Sequence, residues 1–281
     1  MAPIEQIDRA TAREPYATIR RAILLNCFGR GGSSILWNMI GSSPDVLMPN
    51  GEWHVGFYGK WLVVGRVLRR VMRRARIDTP AFGPLSSLIY RRACATVSQH
   101  ERESKPGASS VVIKVMDHHI AMNSAIAAGF SDVKQVILVR NPLAQCESLM
   151  RSGQDLRTAT RWYVDVTDRM IDLAKRSDNY ICRFEDLVRD PFAIRDDMYA
   201  KLSIAPPLSG SFKMKRKKYG ADRTPEIKKA AGHYVDVTFQ NVSEIVDRDV
   251  NERSVMRLSD MEKSFILRQT GRSASFFGYN L

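Results

Sequence analysis

Arg30-Gly-Gly-Ser-Ser34 sets a permanent positive charge, two glycines and two hydroxyls side by side, a combination suited to holding an anion. The residues before it, Arg21 to Cys27, read as a buried strand, and those after it, Ile35 to Ile40, read as a helix. Gly29, Gly31 and Gly32 let the backbone turn tightly and come close to a ligand. The helix then offers its unpaired N–H groups and the positive end of its dipole to an oxyanion. Ser33 and Ser34 are placed to cap that helix or to donate to phosphate oxygens, and Arg30 adds charge. A nucleotide phosphate is the natural occupant. The residue after Gly32 is Ser33, and no lysine follows as it does in G-x-x-x-x-G-K-[ST], which argues against a magnesium-dependent ATPase or GTPase. Taken alone, the segment is equally well described as an ordinary strand-to-helix turn with a serine cap.

A second segment has the same design. Val136-Ile-Leu-Val-Arg-Asn-Pro-Leu-Ala-Gln-Cys-Glu-Ser148 runs from a β-branched strand into a helix, with Arg140 at the strand end. Pro142 suits the first helical turn and Asn141 its cap, which places Ser148 about two turns in, on a face that looks back toward Arg140. Arg140 and Ser148 are then spaced to hold one phosphate between them.

With these two segments in view, the chain resembles the sulfotransferases that take their sulfuryl group from 3′-phosphoadenosine 5′-phosphosulfate (PAPS). Arg30 to Ser34 is similar to that family's loop for the 5′-phosphosulfate, with Gly31 where a serine is usual. Arg140 and Ser148 match its arginine and serine for the 3′-phosphate. Tyr180-Ile-Cys-Arg-Phe-Glu-Asp-Leu-Val-Arg-Asp-Pro191 is similar to the family's third stretch, and the three lie in family order between residue 22 and about residue 204. The resemblance implies a three-layer α/β fold like that of the P-loop NTPases, PAPS as donor, adenosine 3′,5′-bisphosphate (PAP) as spent product, and no metal. It also implies cofactor-binding roles for Arg30, Gly31, Gly32, Ser33, Ser34, Arg140 and Ser148.

Cytosolic members carry a lysine-threonine-histidine motif whose histidine is the base. Val112-Ile-Lys-Val-Met-Asp-His-His119 supplies Lys114 but sets Met116 at the histidine position. Glycan-modifying and many bacterial members instead have a glutamate a few residues after an HPxV stretch. Here Ser43-Pro-Asp-Val46 is followed by Glu52 and His54, so Glu52 is the expected base, a role a carboxylate can fill when burial raises its pKa. His118 is the rival base or a lining residue of the acceptor pocket, while Lys114 and Arg30 neutralise charge on the leaving phosphate. The pair His118 and His119, with Cys27, Cys94, Cys146 and Cys182, offers no zinc-ligand spacing, and no metal is expected.

The elements that must position these residues follow from hydrophobic patterning. Strands are expected at 22–28, 110–115, 134–139 and 179–184, and helices at 34–41, 60–76, 84–100, 119–128, 142–151, 156–176 and 191–202. That alternation predicts a parallel sheet covered by helices, with ligands at the carboxyl ends of its strands. With 281 residues, 44% hydrophobic and 26% charged, the chain reads as one domain over 1–281. A basic helical insertion at about 60–105 and a basic loop at about 206–232 decorate it.

The formal charge of +13 points to an anionic partner. In 60–76, six arginines alternate with apolar residues, a pattern for contact with an anionic membrane or an acidic polymer, or for a core-facing helix with a solvated basic side. Lys213 to Lys218 reads as a cover over the donor's phosphates, a polymer-binding loop or a solvated run. No zinc-finger spacing, basic zipper or RNA-binding aromatic motif accompanies the charge, so no specific nucleic acid is expected. No apolar run reaches bilayer length, Met1 to Arg20 lacks a signal peptide's apolar block, and the cysteines suggest no disulfide framework. A cytoplasmic setting, with peripheral membrane contact through 60–76, is expected. Sulfuryl transfer to a hydroxyl, or less readily an amine, of a carbohydrate, lipid or small molecule is the leading function. The alternatives are a P-loop kinase or NTPase-like enzyme and a non-catalytic basic module.

Overall fold

The computed structural model describes residues 19–50, 90, 93–176, 178–215 and 234–279. Its centre is a five-stranded parallel sheet of β1 (Arg21–Cys27), β2 (Val46–Leu47), β3 (Ser110–Met116), β4 (Asp132–Val139) and β5 (Asn179–Arg183), in the order β2-β3-β1-β4-β5. Both faces are covered, as an all-parallel sheet requires. Strand periodicity assigns the faces. Ile23, Leu25, Cys27, Val112, Val136 and Leu138 pack on one side with Leu36, Met39 and Ile40 of α1 (Ser33–Gly41). Ala22, Leu24, Val111, Ile113, Ile137 and Val139 pack on the other side. There they meet Ala159, Tyr163, Val166 and Met170, the apolar stripe of a long helix at Leu156–Ala174.

Register explains where a ligand can sit. Cys27, the last residue of β1, lies opposite Met116 of β3 and Leu138 of β4, so Phe28, Asp117 and Arg140 leave the sheet along one edge. The expected parallel sheet with helices on both faces is what the structure shows. The expected helices at 142–151 and 191–202 appear at Pro142–Met150 and Pro191–Leu202, each with proline in its first turn. Among the described residues no helix is long and apolar enough to cross a membrane.

Some expectations change. The predicted helix at 119–128 is a 3-10 segment at Asp117–Met122 followed by a short helix at Asn123–Ala127. Asp117 has a positive φ of 52°, so the chain leaves β3 through a corner rather than running straight into a helix. In the predicted helix at 84–100, Ser98 accepts from the Glu101 N–H and starts a separate helix at Gln99–Ser104. Beyond residue 204, where no element was expected, Phe212–Lys215 and Tyr234–Val237 pair as an antiparallel ribbon. Three helices then follow at Val242–Ile245, Val250–Met256 and Asp260–Phe276. The last starts with a capping box between Ser259 and Glu262. The expected helix at 60–76 and most of the expected basic loop lie outside the described residues.

The turn into α1 depends on Gly32, whose φ is +83°. A Cβ there would fall 2.1 Å from the Phe184 ring, so glycine is required both by the left-handed backbone and by the close approach of that ring. Gly32→Ala is expected to cost roughly 2–4 kcal/mol, the sum of a left-handed penalty and overpacking. Urea unfolding measures it, and a midpoint unchanged from wild type would show that the turn tolerates a side chain.

Candidate active site

The loop from Phe28 to Gly32 is anchored from below by groups on three other elements. The Gly29 N–H donates to Asp117 Oδ1 at 3.0 Å, and Gln145 Nε2 donates to the Gly29 carbonyl at 3.0 Å. Arg140 Nη1 donates to the Arg30 carbonyl at 3.0 Å. Phe28 stacks on Tyr163 with ring centres 5.1 Å apart, and Trp162 Nε1 reaches Asp117 Oδ1 at 3.2 Å. Arg30, like Asp117, has a positive φ, 62°. The loop's carbonyls are thus drawn toward the protein. The N–H groups of Arg30, Gly32, Ser33 and Ser34 have no hydrogen-bond partner among the described residues. That is the arrangement an anion needs at a helix N-terminus. The expected serine cap is not there: Gly32 is the N-cap and accepts no side-chain bond, so Ser33 and Ser34 belong to the first turn itself.

Arg140 and Ser148 meet at this loop as expected. Asn141 caps the helix at Pro142–Met150, accepting from the Leu143 and Ala144 N–H groups, and this directs Ser148 back toward the strand end. Ser148 Oγ lies 3.2 Å from Arg30 Nε. The loop expected to hold the 5′-phosphosulfate and the serine expected to read the 3′-phosphate are thus joined through the Arg30 guanidinium.

Arg140 is only 4% exposed. Its guanidinium lies 4.9 Å from the Phe184 ring centre, Nε donates to Asn251 Oδ1 at 2.7 Å, and Nη2 is buried with no hydrogen-bond partner among the described residues. Burial lowers its pKa from 12.5 to about 10, against the opposing pull of Glu185 and Glu147, so it stays cationic at neutral pH. A buried guanidinium nitrogen left without an acceptor is costly unless an anion supplies one. An oxyanion bound at this loop fits that need.

Lys114 lies on the α1 face of the sheet and is 7% exposed, its ammonium 5.1 Å from the centre of the Trp37 ring. It is thus buried rather than an exposed strand-end lysine. His119 is buried too, its Nδ1 3.1 Å from the Met116 carbonyl. Glu52 and the His118 side chain lie outside the described residues.

Several participants went unread in the sequence. Asp117 and Gln145 fix the loop, and Asn251 reaches Arg140 from a helix more than a hundred residues later. Glu185 accepts from the Asn141 N–H at 2.9 Å, from the Tyr279 hydroxyl at 2.7 Å and from Asn251 Nδ2. Only Glu185 had a signal, its place in the Phe184-Glu-Asp-Leu187 segment.

Together these groups bring backbone N–H donors and the side chains of Arg30, Ser148 and Arg140 to one edge of the sheet, an arrangement able to hold an anion. Comparison with known proteins bears on the fold and the family. The sulfotransferase domain from the curacin biosynthetic pathway superposes with a TM-score of 0.57 at 18% identity, covering 94% of this chain and 99% of that one. The sulfotransferase domain of the Synechococcus PCC 7002 olefin synthase gives the same TM-score and identity over 94% of this chain and 96% of its own. At such identity the likeness concerns the fold, the parallel sheet and helical layers described above. No curated protein matches the sequence. Residues 23–206, well over half of the chain, match the family described as "Sulfotransferase family", and the chain belongs to that family.

Proposed function

We propose that the protein transfers a sulfuryl group from PAPS to a hydroxyl, or less readily an amine, of a carbohydrate, lipid or small-molecule acceptor. The observation that carries this reading is the buried Nη2 of Arg140, without a hydrogen-bond partner among the described residues, on an arginine that holds the carbonyl of Arg30, whose own guanidinium reaches Ser148. A 3′-phosphate supplies the missing acceptor, and a nucleotide lacking that group does not. The N–H groups of Arg30, Gly32, Ser33 and Ser34 hold the 5′-phosphosulfate and, with Lys114, stabilise the charge that grows on the departing phosphate, while the Gly31 N–H is taken by the Phe28 carbonyl. Glu52 takes the acceptor's proton as the new S–O bond forms and the S–O bond to the phosphate breaks. Fixed cations and oriented N–H groups here fill the role that magnesium has in many phosphoryl transfers.

Thermal unfolding with PAP, or with ATP and magnesium, separates this reading from a kinase-like one. A ligand at a hundred times its Kd stabilises the native state by about 2.7 kcal/mol. PAP is expected to raise the midpoint without magnesium, and stabilisation by magnesium-ATP alone would contradict the proposal. In Arg140→Ala, PAP affinity is expected to fall roughly tenfold to hundredfold, the loss from one buried charge-assisted interaction. Adenosine 5′-phosphosulfate, which lacks the 3′-phosphate, should change little, and equal weakening of both ligands would deny Arg140 its role.

Glu52→Gln is expected to bind PAP normally and lose roughly a hundredfold to ten-thousandfold in turnover, the range for removing a general base. Sulfate transfer to an acceptor found by screening measures it. Near-normal turnover in Glu52→Gln with collapse in His118→Ala would move the base to the histidine.

A further inference from the structure

Arg140 and Glu185 are electrostatic neighbours that do not touch directly. The Glu185 carboxylate helps hold Arg140 in its charged form, yet among the described residues Arg140 forms no ion pair. Asn251 stands between them. Its Oδ1 accepts from Arg140 Nε at 2.7 Å, and its Nδ2 donates to Glu185 Oε1. Glu185 is held in place from behind, by the Asn141 N–H at 2.9 Å on Oε1 and by the Tyr279 hydroxyl at 2.7 Å on Oε2. Tyr279 is itself fixed, with the Arg183 guanidinium 5.9 Å from its ring centre and Arg183 Nη1 donating to the Gly278 carbonyl at 3.0 Å.

The chemistry of this order is specific. An arginine beside a carboxylate prefers a bidentate pair that uses two of its nitrogens and cancels its charge. Such a pair at Arg140 would leave little attraction for a phosphate. A neutral amide in the same place accepts one N–H, passes the polarisation on to the carboxylate and leaves the guanidinium's charge and its Nη2 uncommitted.

We propose that Asn251 is a positioning residue that separates Arg140 from Glu185, so that the arginine is oriented but not neutralised and selects donors bearing a 3′-phosphate. The proposal rests on the PAPS reading above and makes the C-terminal segment, from Val250 to Tyr279, part of the donor site. Tyr279 supports it by keeping Glu185 turned away from the arginine.

Asn251→Asp changes two atoms' charge with almost no change in shape, and calorimetric titration with PAP and with adenosine 5′-phosphosulfate reads the result. The preference of wild type for PAP is expected to shrink by about tenfold in Asn251→Asp, with affinity for adenosine 5′-phosphosulfate close to wild type. A direct carboxylate on Arg140 blunts recognition of the 3′-phosphate alone. Tyr279→Phe, which removes one hydroxyl from the rim of the network, gives a milder expected loss of about threefold in the same preference. Should either variant bind both ligands as wild type does, or lose both equally, Asn251 has only a structural role and the proposal is overturned. A wild-type protein indifferent to the 3′-phosphate would instead sink the PAPS reading itself, which distinguishes the two failures.

Discussion

A buried positive charge governs this site. Placing the Arg140 guanidinium at 4% exposure removes most of its hydration, and the lowering of its pKa to about 10 is the trace of that cost. The surrounding structure offsets the cost without cancelling the charge. The Arg30 carbonyl and the Asn251 amide each take one N–H, Phe184 offers a ring face, and Glu185 acts at one remove. One nitrogen is left over. The same contacts also build the neighbouring loop, since the Arg140 bond to the Arg30 carbonyl turns that carbonyl inward, while the N–H groups of Gly32, Ser33 and Ser34 have no partner among the described residues. The loop after β1 and the end of β4 that carries Arg140 are therefore one mechanical unit, centred on a single side chain.

Phe184 joins these two parts a second time. Its ring lies against the Arg140 guanidinium and occupies the space where a side chain on Gly32 would project. It opens the helix at Phe184–Arg189 directly after β5, next to β4 in the sheet, so sheet order brings it to the loop that follows β1. Glu185, the next residue, then faces Asn141 and Asn251. A short segment after the edge strand thus sets both the shape of the anion loop and the field around its arginine.

The parts of this arrangement that were legible in the sequence are local ones. Strand-to-helix turns with glycine, Asn141-Pro142 as a helix start, and apolar runs for β1, β3 and β4 are determined by neighbours within a few residues, and the structure has them where the patterns put them. The place of Ser148, about two turns into its helix and within reach of Arg30, follows from helical periodicity. The rest needed long-range contacts. Asn251 is an unremarkable polar residue on a seven-residue helix, and nothing near it in the chain indicates that it meets Arg140. Asp117 shows the same limit differently. Its positive φ is sustained by bonds to Gly29 and Trp162, groups far away in sequence, so the pattern around it reads as the start of a helix. The burial of Lys114, whose ammonium lies over the Trp37 ring, comes from packing between layers and is not legible in the strand's own pattern.

The central claim is that the uncommitted nitrogen of Arg140 exists for the donor's 3′-phosphate. A crystal structure of the protein with PAP tests it most directly. The expected result is a 3′-phosphate oxygen within hydrogen-bond distance of Arg140 Nη2 and of Ser148 Oγ, with Asn251 still between Arg140 and Glu185 and the 5′-phosphate on the N–H groups of Gly32 to Ser34. A bound nucleotide whose 3′-phosphate points to solvent or to other cations, with Arg140 enclosed as before, would contradict it.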